Sequence, residues 1–254
     1  MNWNVVGSSV VGTSHTVNGK KCEDSCWAQV VASLEGKQYL SLFVADGAGS
    51  ALKGGEGAEA AIQTAVNVLQ ENINKPNYCL NEDSAVQIIN AIRKQLVDLS
   101  EKNNLQMRDY ACTFLGLISC SAGTLVFQIG DGGIVVDVGA GLHVSITPMS
   151  GEYANMTYFI TDENAQAHVV CKSYPTIALR AAAFSDGLQR LALNFSNNTV
   201  HEPFFSPLFR VLSTTSALQE TQLHAALVKF LQSDAVNSRT DDDKTLTMAY
   251  LLPQ

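Results

Sequence analysis

Three apolar runs of strand length each end in an aspartate that is followed directly by glycine. They read VADG at Asp46, IGDG at Asp131 and FSDG at Asp186. Asp-Gly is a common turn pair, because the Asp side chain hydrogen-bonds nearby backbone and Gly adopts positive φ. Alternatively, small residues let a ligand approach the backbone while the carboxylate supplies hard oxygen ligands. One occurrence fits either interpretation, whereas the recurrence favours the second.

Acidic residues also stand where other apolar runs begin. Glu23 and Asp24 precede SCWAQVV, and Asp242 and Asp243 precede KTLTMAY. Carboxylates gathered at one edge of a sheet repel one another and raise each other's pKa. Divalent cations would remove that repulsion. Because all of these ligands are oxygens, the pattern favours Mg²⁺ or Mn²⁺ over zinc.

The order of the predicted elements favours an α+β fold. The strands are predicted over 3–13, 26–34, 38–45, 177–186 and 244–252, with a group of short ones over 109–148, and the helices over 56–73, 82–102, 203–214 and 217–232. Strands and helices do not alternate one by one, so a doubly wound parallel sheet is disfavoured. This much β-structure predicts two stacked sheets with helices on their outer faces.

The middle of the chain is rich in glycine between its short apolar runs. These runs predict a meander of consecutive hairpins, and the polar stretch 149–168 predicts a surface loop or flap. The chain of 254 residues shows no low-complexity tract, clear repeat or linker. We therefore expect a single domain over residues 1–254.

The composition argues against several classes of function. A formal net charge of −8 makes nucleic acid an improbable partner, because phosphate binding needs a basic face. No run of 18 apolar residues predicts a membrane span, and no secretory signal is visible at the N-terminus. The six cysteines form no C-x-x-C pair, which indicates reduced thiols and a cytoplasmic protein rather than a zinc site. A monomer is expected.

Taken together, the acidic motifs follow one another in a characteristic order. From the N-terminus they read KKCEDSCW, VADGAGS, IGDGG, AFSDGL and DDKTL. This order, over nearly the whole chain, resembles the metal-dependent serine/threonine phosphatases of the protein phosphatase 2C type. The resemblance implies an α-β-β-α sandwich with a dinuclear metal centre at one end of the two sheets. It also implies hydrolysis of phosphoserine and phosphothreonine in proteins, with a metal-held water as the nucleophile and Mn²⁺ or Mg²⁺ as the cofactor.

The resemblance further implies a role for each matching residue. Asp46 would bridge two ions, and Asp46, Asp186 and Asp242 would carry catalysis. The implied metal-site residues are Glu23, Asp24, Asp46, Gly47 (through its carbonyl), Asp131, Asp186, Asp242 and Asp243. In this set, Asp24 would hold a metal-bound water, and Asp131 matches the position that binds a third metal ion in many bacterial members. The register across TDDDK leaves open whether Asp242 or Asp243 is the ligand, and an asparagine is expected to be tolerated at Asp243.

Two departures from the family pattern leave alternatives open. Gly19 stands where the family has a phosphate-binding arginine, so Lys20 and Lys21 are the candidates for the substrate phosphate. Ala48 stands where some members have a proposed general-acid histidine. One alternative is a catalytically silent binding domain with this fold, and another is a metal phosphohydrolase that acts on small phosphate esters.

His15, close to the first motif, is interpreted as a loop residue or a supporting residue rather than a ligand.

Overall fold

The computed structural model describes residues 2–148, 157–215 and 219–253, and within them two antiparallel sheets lie between layers of helices. One sheet has the strand order β1-β12-β9-β6-β7, and the other has the order β2-β3-β4-β5-β8. The α-β-β-α architecture expected from the sequence is therefore confirmed. No helix in the described part of the chain is long and apolar enough to cross a membrane.

The bounds of the elements are close to the sequence predictions for the long helices and strands. The strands are β1 (Trp3–Val10), β2 (Asp24–Ala32), β3 (Gln38–Asp46), β4 (Phe114–Cys120), β5 (Gly123–Ile129), β6 (Gly133–Asp137), β7 (His143–Ile146), β8 (Val170–Tyr174), β9 (Arg180–Phe184), β10 (Leu193–Asn194), β11 (Thr199–Val200) and β12 (Lys244–Leu251). The helices are α1 (Thr13–Val17), α2 (Gly54–Asn72), α3 (Glu82–Asn103), α4 (Gln189–Ala192), α5 (Glu202–Thr214), α6 (Glu220–Leu231) and α7 (Asp234–Asn237).

Alternating side chains explain the layers. Successive strand residues point to opposite faces of a sheet. In β3, Leu40, Leu42 and Val44 lie in the core between the two sheets. Tyr39 and Phe43 lie in a second core beneath α2 and α3. A third core, built around Phe184 and Phe205, lies between the other sheet and helices α5 and α6.

The chain crosses between the sheets where the sequence predicted a continuous meander. β4 and β5 form a hairpin in one sheet, and β6 and β7 form a hairpin in the other. The crossing is the turn at residues 130–132, in which Gly130 and Gly132 have φ of 101° and 88°. The meander prediction was therefore wrong at this point, because the turn changes sheets and places Asp131 at their common end.

Several other local predictions differ from the structure. The first strand ends at Val10 rather than at residue 13, and the short helix α1 follows it. Strand β8 and the β10–β11 hairpin had no counterpart in the prediction. Of the loop expected over 149–168, residues 157–168 form turns and a short 3₁₀-helix (Ala165–His168), and residues 149–156 lie outside the described residues. Residues 217–218 of the predicted last helix also lie outside them.

Candidate functional site

The antiparallel pairing of β2 with β3 brings two aspartates to the end of one sheet. Asp24 at the start of β2 is the register partner of Asp46 at the end of β3. The backbone of Asp46 is fixed on its other side by Thr113, whose Oγ1 accepts from the Asp46 N–H at 3.1 Å. The Thr113 N–H donates to the Asp46 carbonyl at 2.8 Å. The apolar run before Asp46 thus ends in a residue whose backbone is held on both sides, by β2 and by Thr113.

The other sheet delivers Asp186 and Asp242 to the same end. Asp186 follows β9 and Asp242 precedes β12, and these two strands pair antiparallel with Phe184 opposite Leu246. Asp186 reaches toward the first sheet, because it lines the same cavity as Asp46 and its charge raises the pKa of Asp46. Two carboxyl groups that share a cavity disfavour each other's ionised form.

The crossover turn adds a fifth carboxylate. Asp131 lies between Gly130 and Gly132, and its Oδ2 accepts from the Thr157 hydroxyl at 2.6 Å. A cavity of about 180 Å³ opens between these segments. It is lined by His15, Asp46, Gly47, Ala48, Gly49, Thr113, Asp131, Thr157, Phe159, Asp186, Asp242 and Asp243. We call it the carboxylate pocket.

Burial and mutual repulsion raise the pKa values of the carboxyl groups around the pocket. Burial, then the charges of Asp24 and Asp186, raise the pKa of Asp46 well above its usual range. Burial, followed by the charges of Asp131 and Asp242, raises the pKa of Asp186 to about 6. The pKa of Asp131 is also raised, mainly by burial. The pocket therefore favours either protons or cations beside its carboxylates.

The pocket residues fit divalent cations. Asp186 Oδ1 in the pocket and Asp24 Oδ1 behind it are buried oxygens without a hydrogen-bond partner among the described residues. Buried unpaired oxygens are costly, and hard cations take oxygen ligands of this kind. Within residues 2–148, 157–215 and 219–253, however, no three His, Cys, Asp or Glu side chains already stand together as one metal-ligand group.

Asp24 lies behind the pocket rather than on its lining. Its Oδ2 accepts from the Ser185 hydroxyl at 2.8 Å and lies 2.7 Å from Thr245 Oγ1, so it links the two sheets. Burial raises the pKa of Asp24 to about 7, despite the opposing hydrogen bonds from Thr245 and Ser185. Glu23 also lies outside the lining, and its Oε2 is 3.4 Å from Lys20 Nζ.

Asp243 lines the pocket, yet backbone and side-chain donors already occupy its oxygens. Its Oδ1 accepts from Gly12 N–H at 2.6 Å, and its Oδ2 accepts from Glu23 N–H at 2.6 Å. His15 Nδ1 lies 2.9 Å from the same Oδ2. Asp242 is exposed, and its Oδ1 accepts from the Asp243 N–H at 2.8 Å. The two neighbours thus have different surroundings.

The glycine after Asp46 is required by backbone packing. A Cβ on Gly47 would lie 2.4 Å from the carbonyl carbon of Gly54 and 2.7 Å from the Glu23 carbonyl oxygen. A Cβ on Gly49, two residues later, would meet nothing within 4 Å. Gly47 therefore lets β3 reach the start of α2, whereas Gly49 lies at the pocket rim where its position faces open space.

The lysines predicted to hold the substrate phosphate are exposed and do not line the pocket. Lys20 Nζ lies near Glu23, and Lys21 has no hydrogen bond or ion pair among the described residues. Residues that the sequence left without a role support the site instead. They are Thr113, Thr157, Ser185 and Thr245, while His15, already interpreted as a loop or supporting residue, contacts Asp243. Ser185 and Thr245 stand within the motifs AFSDGL and DDKTL, which is the signal that could have indicated them.

Comparisons with known proteins agree with this geometry. The sequence profile of the protein phosphatase 2C family matches residues 11–232. The chain belongs to the protein phosphatase 2C family. It is 47% identical over 249 residues to Serine/threonine-protein phosphatase 3 of Escherichia coli (strain K12), and the match covers 98% of each chain. The resemblance inferred from the five motifs is thus confirmed, as is the expectation of a serine/threonine phosphatase.

Solved structures of the protein phosphatase 2C fold superpose on the whole chain. Serine/threonine phosphatase Stp1 from Staphylococcus aureus matches with a TM-score of 0.63 and 13% identity, covering 100% of this chain and 96% of that one. The catalytic domain of the phosphatase PstP, in complex with two manganese ions, matches with a TM-score of 0.63 and 15% identity over 99% of each chain. At these identities the superpositions establish the fold.

Proposed function

We propose that this chain hydrolyses phosphoserine and phosphothreonine monoesters in proteins, with two Mn²⁺ or Mg²⁺ ions held in the carboxylate pocket. The observation that supports this most directly is the convergence of Asp46, Asp131, Asp186 and Asp242 from both sheets on one cavity. When bound, two divalent cations supply positive charge for the phosphoryl oxygens and lower the pKa of a water molecule.

The proposed ligands come from the family motifs, and the side-chain positions support most of them. Asp46 ends β3 in one sheet and shares the pocket with Asp186 of the other sheet, so it would help to hold both ions. Asp186 and Asp242 would serve one ion, and Glu23 with the Gly47 carbonyl would serve the other. We assign Asp242 rather than Asp243, because the oxygens of Asp243 already accept from Gly12, Glu23 and His15.

Other residues of the chain would position these ligands. Thr113 fixes the backbone of Asp46, and Ser185 and Thr245 orient the carboxylate of Asp24. Asp131, held by Thr157, would bind a third ion at the pocket edge. Among the described residues that line the pocket, none is a serine or cysteine, and the Thr157 hydroxyl donates to Asp131, which agrees with water as the proposed nucleophile.

Hydrolysis of a phosphothreonine peptide tests this function. Purified protein, stripped with EDTA and dialysed, should release phosphate after addition of Mn²⁺ and should stop when EDTA is added again. Equal release of phosphate in EDTA would contradict a metal-dependent reaction. No release at saturating Mn²⁺ or Mg²⁺ would favour the silent binding domain.

The remaining expectations belong to the same proposal. A phosphoprotein substrate follows from the family, whereas a monomer, a role in signalling and a cytoplasmic location stay predictions. The free state of all six cysteines supports the location. The match of the E. coli relative over 98% of this chain supports the single domain over residues 1–254.

A further inference from the structure

A second cavity adjoins the carboxylate pocket. It has a volume of about 560 Å³ and shares Asp186 and Asp242 with the pocket. Its other lining residues are Gly187, Gln189, Arg190, Phe195, Arg239, Thr240 and Asp241. We call it the arginine groove. A peptide substrate whose phosphoryl group enters the pocket would place the residues next to the phosphorylated one in or beside this groove.

Two arginines in the groove have no partner within the described part of the chain. Arg190 and Arg239 are exposed, and neither forms an ion pair or a side-chain hydrogen bond there. Arg180 and Arg93 are engaged elsewhere: Arg180 donates to Asp137 Oδ2 at 2.8 Å, and Arg93 donates to backbone carbonyls. Arg108 and Arg210 also have no side-chain partner among the described residues, but they line neither the groove nor the carboxylate pocket. Arg190 and Arg239 differ from them because they share one cavity with the proposed metal ligands Asp186 and Asp242.

The segments that hold the arginines also hold proposed metal ligands. Arg190 lies on α4, four residues after Asp186, and Arg239 lies three residues before Asp242. The backbone of each arginine is therefore held within four residues of a proposed metal ligand. With cations on Asp186 and Asp242, the charges left in the groove are Arg190, Arg239 and Asp241, which favours an anion.

We propose that the arginine groove binds carboxylate side chains that flank the phosphorylated residue, so that acidic phosphopeptides are the preferred substrates. This inference rests on the proposed phosphatase function. Guanidinium groups pair with carboxylates through two parallel hydrogen bonds, which gives geometric as well as electrostatic preference. An extended peptide advances roughly 3.3–3.6 Å per residue, so the groove is within reach of residues adjacent to the phosphorylated one. Phe195, which is 57% exposed, offers an apolar contact at the same wall.

Three phosphothreonine peptides of one length test the inference, with Glu, Gln or Lys at the two positions on each side of the phosphothreonine. The wild type should show a kcat/KM roughly tenfold higher for the Glu peptide than for the Gln peptide, mostly through KM, and this ratio should fall at high salt. In the variant R190Q/R239Q the Glu/Gln ratio should approach one. In R190E/R239E the preference should turn toward the Lys peptide.

A matched control separates the groove from a general loss of positive charge. Arg210 is exposed on α5 and does not line the groove, so R210Q should keep the wild-type Glu/Gln ratio. A wild type that hydrolyses the Glu and Gln peptides equally would overturn the inference while leaving the phosphatase function intact. An equal loss of activity on both peptides in R190Q/R239Q would also overturn it. No hydrolysis of any peptide with Mn²⁺ would contradict the proposed function itself.

Discussion

Asp243 joins three separate stretches of chain at the end of the sheets. One carboxylate oxygen accepts from Gly12 N–H, and the other accepts from Glu23 N–H and contacts His15. The residue is 3% exposed, so water cannot replace these bonds. Hydrogen bonds from backbone N–H groups to a buried carboxylate are stronger than those between neutral groups. Asp243 therefore positions the loop before β2, which carries Glu23.

The motif predicts that asparagine is tolerated at position 243, but the contacts of Asp243 indicate that it should cost stability. The substitution keeps one acceptor oxygen and replaces the other with an NH₂ group. The backbone N–H of either Gly12 or Glu23 then loses its acceptor. An unsatisfied buried donor costs about 1–3 kcal/mol. We expect the thermal midpoint of Asp243→Asn without metal to fall by several degrees, as measured by circular dichroism.

The neighbouring variant Asp242→Asn is the matched comparison. An asparagine oxygen can still accept from the Asp243 N–H, so stability without metal should be close to that of the wild type. Turnover with Mn²⁺ should fall strongly, because a charged ligand is lost. The opposite result, a stable Asp243→Asn with low turnover and an active Asp242→Asn, would exchange the two roles.

Residue types and motif order predicted the acidic residues of the pocket, but not their individual surroundings. Position in TDDDK could not separate Asp242 from Asp243, because the answer depends on contacts with Gly12 and Glu23, more than 200 residues away in sequence. The supporting contact of Thr245 with Asp24 is equally remote, and the phosphate role predicted for Lys20 and Lys21 has no contact in the pocket to support it. Contacts between residues so far apart in the chain leave no local sequence pattern from which they could be predicted.

At the scale of elements, the end of β3 must pass very close to the start of α2. Gly47 allows this approach, whereas Gly49 faces open space. Gly47→Ala would place a methyl group within 2.4–2.7 Å of backbone atoms of Gly54 and Glu23, which cannot move independently of their elements. We expect overpacking of about 1–3 kcal/mol and a loss of Mn²⁺-dependent turnover.

Gly49→Ala is the control within the same motif. It should leave the thermal midpoint and the turnover nearly unchanged, because the added methyl group meets no neighbour within 4 Å. Chemical denaturation and phosphopeptide hydrolysis of both variants would measure the contrast. Equal behaviour of the two variants would contradict the assigned packing role of Gly47.

The long, strongly patterned elements could be predicted from sequence. Buried positions Ala58, Ala61, Ile62, Ala65 and Leu69 recur at helical spacing in α2, and β3 alternates between two cores. The change of sheets between β5 and β6 could not be predicted from sequence, because a Gly-Asp-Gly turn is compatible with a hairpin as well as with a crossover. The short helix α1 was also missed, since five residues carry too little periodicity.

At the scale of the whole molecule, the carboxylate pocket makes stability depend on pH and metal. The raised pKa values of Asp24, Asp46 and Asp186 mean that the metal-free folded state binds more protons than the unfolded chain between about pH 4 and pH 7. The free energy of unfolding therefore falls as pH rises through this window. In EDTA, the thermal midpoint should decrease from pH 5 to pH 8 more steeply for the wild type than for Asp186→Asn.

The stabilisation by Mn²⁺ should increase with pH, whereas the stability without metal should decrease. Cations compete with protons for the same oxygens, so the rise in thermal midpoint caused by Mn²⁺ should be larger at pH 8 than at pH 5. Differential scanning fluorimetry with and without the metal would measure both trends. A wild-type slope in EDTA that equals that of Asp186→Asn would show that these carboxyl groups do not retain protons in the fold.

The turnover of Asp46→Asn on a phosphothreonine peptide at saturating Mn²⁺ tests the central claim, that carboxylates from both sheets hold the catalytic cations. Asparagine keeps the shape and one oxygen of Asp46 but loses its charge and its second anionic oxygen. Without metal the variant should be about as stable as the wild type, because a carboxyl group that is costly to ionise in the pocket is replaced by a neutral group of the same shape. We expect a folded protein without measurable Mn²⁺-dependent hydrolysis. An Asp46→Asn variant with near wild-type turnover would contradict it.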